Sequence, residues 1–294
     1  MNFEEIKPTH NSLLMRFFIA LKLQKFAWSL RRLHCPVKTT DLVLEVGSGG
    51  NPYPRSNILI DAYENTRERH WAPLKVDRPI ILGFVENLPF KDKAFDFVIA
   101  SHVLEHSKNP KKFLSELQRV AKAGYIEVPD AFMERLNPYK DHRLEISLKD
   151  EKLYIFKKSK SIIDMGLKKL YEAYAKFYIT KKLIPNYPFV FHVRYFWHKK
   201  INFHIINPNT SSNWTDKSDV LNKIDKPRKL RSCLIDITRW IFSQSKRNKN
   251  INLYSFLRCP KCFYADMQKK KNKIVCNNCS KKYAFVNGIP RLIP

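Results

Sequence analysis

The sequence predicts an α/β protein with a mostly parallel sheet, an antiparallel closing hairpin and a small C-terminal domain. Three observations lead there. Short apolar runs recur with helical or loop crossovers between them, the pattern of a parallel sheet. The first run, 41–46, stops at a glycine-rich turn, Gly47-Ser48-Gly49-Gly50. Near the C-terminus two Cys-x-x-Cys pairs, Cys259/Cys262 and Cys276/Cys279, stand thirteen residues apart.

Asp41 to Val46 reads as a buried strand, and the glycines after it let a ligand lie against bare backbone. Asn57 to Asp61 is a second strand ending in a carboxylate, which can accept hydrogen bonds from both hydroxyls of a ribose. A dinucleotide fingerprint needs a third glycine five residues after the first. Pro52 stands there and Pro54 follows, so no long helix offers its N-terminus to a pyrophosphate. No Gly-Lys-Ser/Thr closes the turn, which excludes a P-loop. A nucleoside cofactor without phosphates remains, and S-adenosylmethionine is the common one.

Ile80 to Phe90 is a third strand running into a polar turn. Ala94 to Ser101 is a fourth, followed by His102-Val103-Leu104-Glu105-His106. Asn109 to Ala121 reads as a helix, with Pro110 in its first turn and Phe113, Leu114, Leu117 and Val120 on one face. Tyr125 to Pro129 is the fifth strand. Ser161 to Leu183 reads as a helix with Ser161 and Asp164 at capping-box spacing. Its stripe of Ile163, Leu167, Leu170, Tyr174, Phe177 and Tyr178 is expected in the core. Phe189 to Trp197 and Ile201 to Ile206, joined by His198 to Lys200, are expected to form the closing hairpin.

Over 36–206 the chain resembles the class I S-adenosylmethionine-dependent methyltransferases, in their type 11-like branch, whose sheet is Rossmann-like. Glu45-Val46-Gly47-Ser48-Gly49 matches the family's first motif and Asp61 its ribose-binding acid. Glu86 to Phe90 and Phe95 to Val98 match the stretches flanking the adenine pocket. His102 to His106 matches the segment of the branch acting on small molecules and glycans. The resemblance implies cofactor contacts at Glu45, Gly47, Ser48, Gly49, Asp61, Glu86, Asn87 and His102. Phe84 stands where the family often has an adenine-binding acid, so Glu86 or the backbone is expected to serve.

A sulfonium methyl is already activated, so the protein must align an acceptor atom and exclude water. A hydroxyl acceptor gains from a general base, and histidine suits that task. His106 and His142 are the catalytic candidates, with His102 shaping the cofactor pocket. Glu105 is expected to cap or pair, and Glu127 is a candidate substrate contact.

Two Cys-x-x-Cys knuckles can close a tetrahedron around a structural zinc. Two disulfides, or iron in a rubredoxin-like site, are the alternatives. With the tail Lys282 to Ile293, the knuckles resemble the small zinc-ribbon family that activates tRNA methyltransferases. That resemblance implies a ribbon supporting the catalytic domain by covering a sheet edge or apolar patch. Cys35 and Cys233 have no knuckle partners and read as ordinary buried thiols.

The net charge is +27, unevenly spread: +4 over 1–150, +15 over 151–250 and +8 over 251–294. Such a basic half suits an anionic partner (RNA, an acidic glycan, a phosphorylated lipid intermediate, or a membrane surface) or is simply a lysine-rich solvated face. No uncharged apolar run reaches transmembrane length, and Lys7-Pro8 with the charge-interrupted segment after it makes no secretory signal, so a cytoplasmic protein is expected. Ser12 to Leu33 reads as one helix packed on the sheet. Its basic residues split between two sides, which argues against an interfacial-membrane helix.

The expected organisation is an N-terminal helix (1–35), the catalytic domain (36–206), a basic linker with a short helix (207–252) and the zinc ribbon (253–294). The leading function is methyl transfer to a hydroxyl or other heteroatom of a glycan-related or small-molecule acceptor. An RNA methyltransferase and a non-catalytic binding module are the competing readings.

Overall fold

A computed structural model describes residues 10–69, 72–161, 163–214 and 229–294. Residues 1–9, with Lys7 and Pro8, and much of the expected basic linker lie outside the described residues.

The central sheet holds β1 (Val43–Val46), β2 (Ile58–Asp61), β3 (Ile80–Leu82), β4 (Phe95–Ser101) and β5 (Ala121–Pro129). Strands β6 (Leu144–Lys149), β7 (Lys152–Lys157), β8 (His192–His198) and β9 (Phe203–Ile205) follow in the chain. The sheet order is β3-β2-β1-β4-β5-β8, parallel except for β8, which runs antiparallel to β5. The order reverses beside β1, so the crevice between the ends of β1 and β4 is the expected ligand position. Register brings those ends level: Val46 lies opposite Ile60 and Ala100.

The strands bury both faces, as their near-continuous apolar runs require. The helix Pro110–Val120 covers one face with Phe113, Leu114, Leu117 and Val120, all buried. Asn109 caps it, its side chain accepting from the Lys112 N–H. No helix follows β1, as Pro52 and Pro54 demand. Tyr53 fills that face instead, packed with Val43, Phe97, Ile99 and Tyr125. The helices Lys229–Phe242 and Ser245–Lys249 hold the first turn from outside. Arg239 donates to the Gly50 carbonyl (3.2 Å) and to Asn51 Oδ1 (2.7 Å), and Asn57 Nδ2 donates to Asn248 Oδ1 (2.8 Å).

Three expectations are corrected. The closing strand finds no hairpin partner. β8 joins β5, but Lys199 turns left-handed (φ 63°) and the chain leaves the sheet. Leu153 N–H donates to the Asn202 carbonyl, and β9 pairs in parallel with β7. The cause is a hairpin that the sequence reading passed over. β6 and β7 alternate apolar and polar residues around Asp150 and Glu151, both at positive φ, and β7 offers an open edge. Leu144, Ile146, Leu153 and Ile155 of this hairpin enter the main core.

The helix expected over 161–183 starts after its N-cap Asp164 and is interrupted by π turns at Tyr171–Ala175 and Ile179–Leu183. Each π turn shifts the helical phase. Leu167 and Leu170 are already exposed ahead of the first π turn, Tyr174, Phe177 and Tyr178 are exposed from it onward, and Tyr171 is the buried residue. The N-terminal helix is two helices, Leu13–Ala20 and Gln24–Leu30, broken at Lys22 (φ 58°). They bury only Met15 and Ala27 and leave Leu13, Leu14, Phe17 and Phe26 exposed. Among the described residues no helix is long and apolar enough to cross a membrane.

The C-terminal sheet contains β10 (Met267–Lys270), β11 (Lys273–Cys276), β12 (Lys282–Val286) and β13 (Ile289–Pro290), each antiparallel to the next. It is joined to the main sheet. Beyond β13, Arg291 pairs with Leu82 of β3, and Leu292 N–H donates to the Leu82 carbonyl at 2.8 Å. The open edge of the main sheet is thus covered. Leu257, Met267, Ile274, Tyr283 and Leu292 share one apolar cluster with the main core.

Candidate functional site

The turn after β1 has the conformation its glycines allow. Gly47 (φ 62°) and Gly49 (φ 57°) are left-handed, and Gly47 N–H donates to the Ile60 carbonyl at 2.7 Å. A Cβ on Gly47 would lie 2.2 Å from Val103 Cγ2. Gly47→Ala is therefore expected to cost about 1–3 kcal/mol, read as a fall in melting temperature; an unchanged melting curve would contradict it.

Asp61 ends β2 turned inward, only 7% exposed. Its Oδ2 accepts from Gly49 N–H at 3.0 Å, so the acid and the turn form one unit. Its Oδ1 is ion-paired with Arg69 at 3.0 Å. Arg69 also donates to the Tyr63 and Ala72 carbonyls, and its Cδ stands 3.1 Å from where a Gly49 Cβ would be. The sequence offered no signal for this arginine: it lies eight residues beyond Asp61, in a loop. Ser48 is buried, and its hydroxyl has no hydrogen-bond partner. An orphaned polar atom beside a bare turn and an inward carboxylate fits a nucleoside ligand.

Glu45 points to the other face of the sheet. Its Oε2 accepts from Tyr53 N–H at 2.8 Å, and burial pushes its carboxyl up to about 7 against the pull of Arg32. Glu86 accepts from the Ser107 hydroxyl at 2.7 Å. Asn87 donates its side-chain amide to the Pro260 carbonyl at 2.9 Å, toward the C-terminal sheet.

His102 sits at positive φ (56°) between two acids, 3.4 Å from Glu105 Oε1 and 3.4 Å from Glu127 Oε1. Burial would lower it, but the two carboxylates raise it to about 9, so it is a cation at neutral pH. Glu127, the candidate substrate contact, is fully buried and already engaged. Arg31 clasps both oxygens (2.9 and 3.1 Å), Tyr125 donates at 2.5 Å and Ser101 at 3.2 Å.

His106 and His142, 36 positions apart in sequence, are neighbours, with ring centroids 4.7 Å apart and planes at 89°. Arg143 brings them together: its N–H donates to the Glu105 carbonyl at 2.7 Å and its Nη1 to the His106 carbonyl at 3.0 Å. His142 Nδ1 meets Glu134 Oε2 at 2.6 Å, and Glu134 Oε1 accepts from Lys158 Nζ at 2.7 Å. Burial lowers His106 despite Glu105. Glu134 and Lys158 were absent from the sequence reading because only the fold brings them to His142.

In the C-terminal sheet the four cysteines converge. The Cys259–Cys279 sulfurs are 3.7 Å apart and the Cys262–Cys276 sulfurs 3.5 Å, and none is in a disulfide. A tetrahedron with metal–sulfur bonds of 2.3 Å has edges of about 3.8 Å, so the donor set fits one thiolate-bound metal.

A methyltransferase-domain family model matches residues 44–126. Two uncharacterized proteins of Methanocaldococcus jannaschii are similar. One is 35% identical over 81 residues, covering 28% of this chain and 40% of the relative. The other is 30% identical over 162 residues, covering 51% of this chain and 69% of the relative. A Thermotoga maritima structure described as a SAM-dependent methyltransferase, possible histamine N-methyltransferase, aligns at 20% identity. Its TM-score is 0.32, with 44% of this chain and 68% of that one covered. A chain of the complex between the Haloferax volcanii Trm112 methyltransferase activator and a methyltransferase aligns at 16% identity. There the TM-score is 0.35, with 64% of this chain and 96% of that one covered. With a sheet ordered around a left-handed glycine turn and an inward acid, the chain has a Rossmann-like methyltransferase fold and belongs to the same family as the second M. jannaschii relative.

Proposed function

We propose that the protein transfers the methyl group of S-adenosylmethionine to a hydroxyl, or another heteroatom, of a glycan-related or small-molecule acceptor. The observation that carries the cofactor half is the unit formed by Gly47, the orphaned Ser48 hydroxyl, Gly49 and the inward Asp61 carboxylate. Asp61 would hold the ribose and the glycine turn the methionine end. The cofactor would supply an activated methyl, which the acceptor oxygen would take as the C–S electron pair stays on sulfur and the hydroxyl proton passes to water. The imidazoles of His106 and His142 serve the acceptor end. His102, flanked by two acids, holds the wall between cofactor and acceptor rather than taking a proton.

Arg69 is ion-paired with Asp61 at the proposed ribose position. Arg69→Ala removes that competing ion pair and is expected to tighten S-adenosylmethionine binding several-fold by calorimetry. Weaker binding would make Arg69 a ligand contact instead.

The four cysteines hold a structural zinc, and the resulting ribbon supports the catalytic domain through the β3 edge. Support comes from the convergent sulfurs and from the Leu82–Leu292 hydrogen bond. An RNA acceptor is the second reading, favoured by the net +15 over 151–250. RNA affinity that falls steeply with salt would favour it. Incubation of the protein with labelled S-adenosylmethionine and pools of glycan, small-molecule and RNA acceptors tests the proposal. Label appearing only in RNA, or in no pool, refutes the leading reading.

A further inference from the structure

We propose that Glu105, His106 and His142 form a binding site for a divalent first-row transition ion, distinct from the cysteine cluster. The inference rests on the methyltransferase reading for what the ion does, and stands apart from it for whether the ion binds.

Each of the three residues offers one ligand atom within 4.8 Å of the others, and all three are largely shielded from solvent. Both carboxylate oxygens of Glu105 are buried without a hydrogen-bond donor. A buried carboxylate is costly unless cations neutralise it. His102 approaches one oxygen at 3.4 Å but is shared with Glu127 at the same distance, so it offsets only part of that cost. The other Glu105 oxygen has no hydrogen-bond partner among the described residues and is open to a second cation.

The two imidazoles are braced from outside, as metal ligands are. His142 Nδ1 meets Glu134 Oε2 at 2.6 Å, and Glu134 is itself paired with Lys158. His106 Nδ1 meets the Asp141 carbonyl at 3.2 Å. With Nδ1–H donated outward, each Nε2 carries the free lone pair a metal needs, and the outer carboxylate fixes tautomer and ring orientation. The Arg143 bonds to the Glu105 and His106 carbonyls hold the two segments together without using any ligand atom.

Two imidazoles and one carboxylate suit zinc, manganese, iron or cobalt; magnesium and calcium prefer all-oxygen sites. Three protein ligands leave coordination positions open. An acceptor hydroxyl, or a vicinal diol, can take them. A hydroxyl held there would be acidified as metal-bound water is, and would release its proton to water as its oxygen bonds the methyl carbon and the C–S electron pair stays on sulfur. The acceptor class this names is a hydroxyl or diol.

Cobalt(II) titration of the full chain, with the cysteine cluster already zinc-loaded, tests the site. The expected result is one further equivalent whose visible bands lack thiolate charge transfer. His106→Gln and His142→Gln are each expected to weaken it at least ten-fold, and Glu134→Gln, which spares the ligands, about ten-fold. Absence of the further equivalent, or its undiminished retention in both histidine variants, overturns the proposal. If a histidine variant does not fold, Glu105→Gln carries the same expectation. Calorimetry with S-adenosylmethionine on the same samples separates the two readings. Cobalt binding without cofactor binding leaves the metal site standing and removes the methyltransferase role.

Discussion

A Cys259→Ser, Cys276→Ser double variant is expected to lose its zinc, unfold the C-terminal sheet and lower the melting temperature of the whole protein. A sheet this small buries little apolar surface of its own, so the proposed zinc would supply most of its folding free energy, about 10 kcal/mol or more. Its loss does not stay local. Leu257 and Leu292, both fully buried, belong to the main core, and each contributes about 1.5–3 kcal/mol by burial. The Leu82 carbonyl loses its donor at Leu292, and the edge of β3 opens to solvent. A drop on the order of 10 °C follows for a domain of this size. Metal content by mass spectrometry and thermal unfolding by circular dichroism check it. Full zinc content, or an unchanged melting temperature in the variant, would contradict both the zinc assignment and the supporting role.

Asp61→Ala is expected to weaken S-adenosylmethionine binding by roughly a hundred-fold, since two hydrogen bonds to a carboxylate contribute about 1.5 kcal/mol or more each. Part of that loss is indirect, because Asp61 also accepts from Gly49 N–H and holds the turn in shape. Asp61→Asn separates the parts. Its amide oxygen can still accept from Gly49 but carries no charge, so an intermediate loss is expected. Calorimetry measures both variants. Binding undiminished in Asp61→Ala would remove the cofactor assignment, and with it the proposed reaction.

Much of the parallel sheet was legible because each strand is a short apolar run ending at a polar turn. The missing helix after β1 was legible from two prolines, and the start of the helix Pro110–Val120 from Pro110 in its first turn. The hairpin of β6 and β7 was legible too, in the alternation of 144–157 around Asp150-Glu151, but no glycine or asparagine marks that turn. The apolar stripe of 163–178 misled because Leu167 and Leu170 face solvent in the regular helix, and π turns then break the period on which a stripe depends. His106 and His142 could be singled out by type and by their place after strands. Their nearness could not, nor could Glu134 behind His142.

Local spacing by itself determined the glycine turn with its following acid, the strand–crossover rhythm and the two cysteine knuckles, because such signals act over a few bonded neighbours. Tertiary structure alone decided the rest. It set Arg69 on Asp61, brought Glu105, His106 and His142 to one point, and tied Asn57 to Gln244 across 187 positions. It also laid the C-terminal sheet along β3. Contacts between distant segments depend on which faces remain open once the sheet has formed, and no local pattern encodes that.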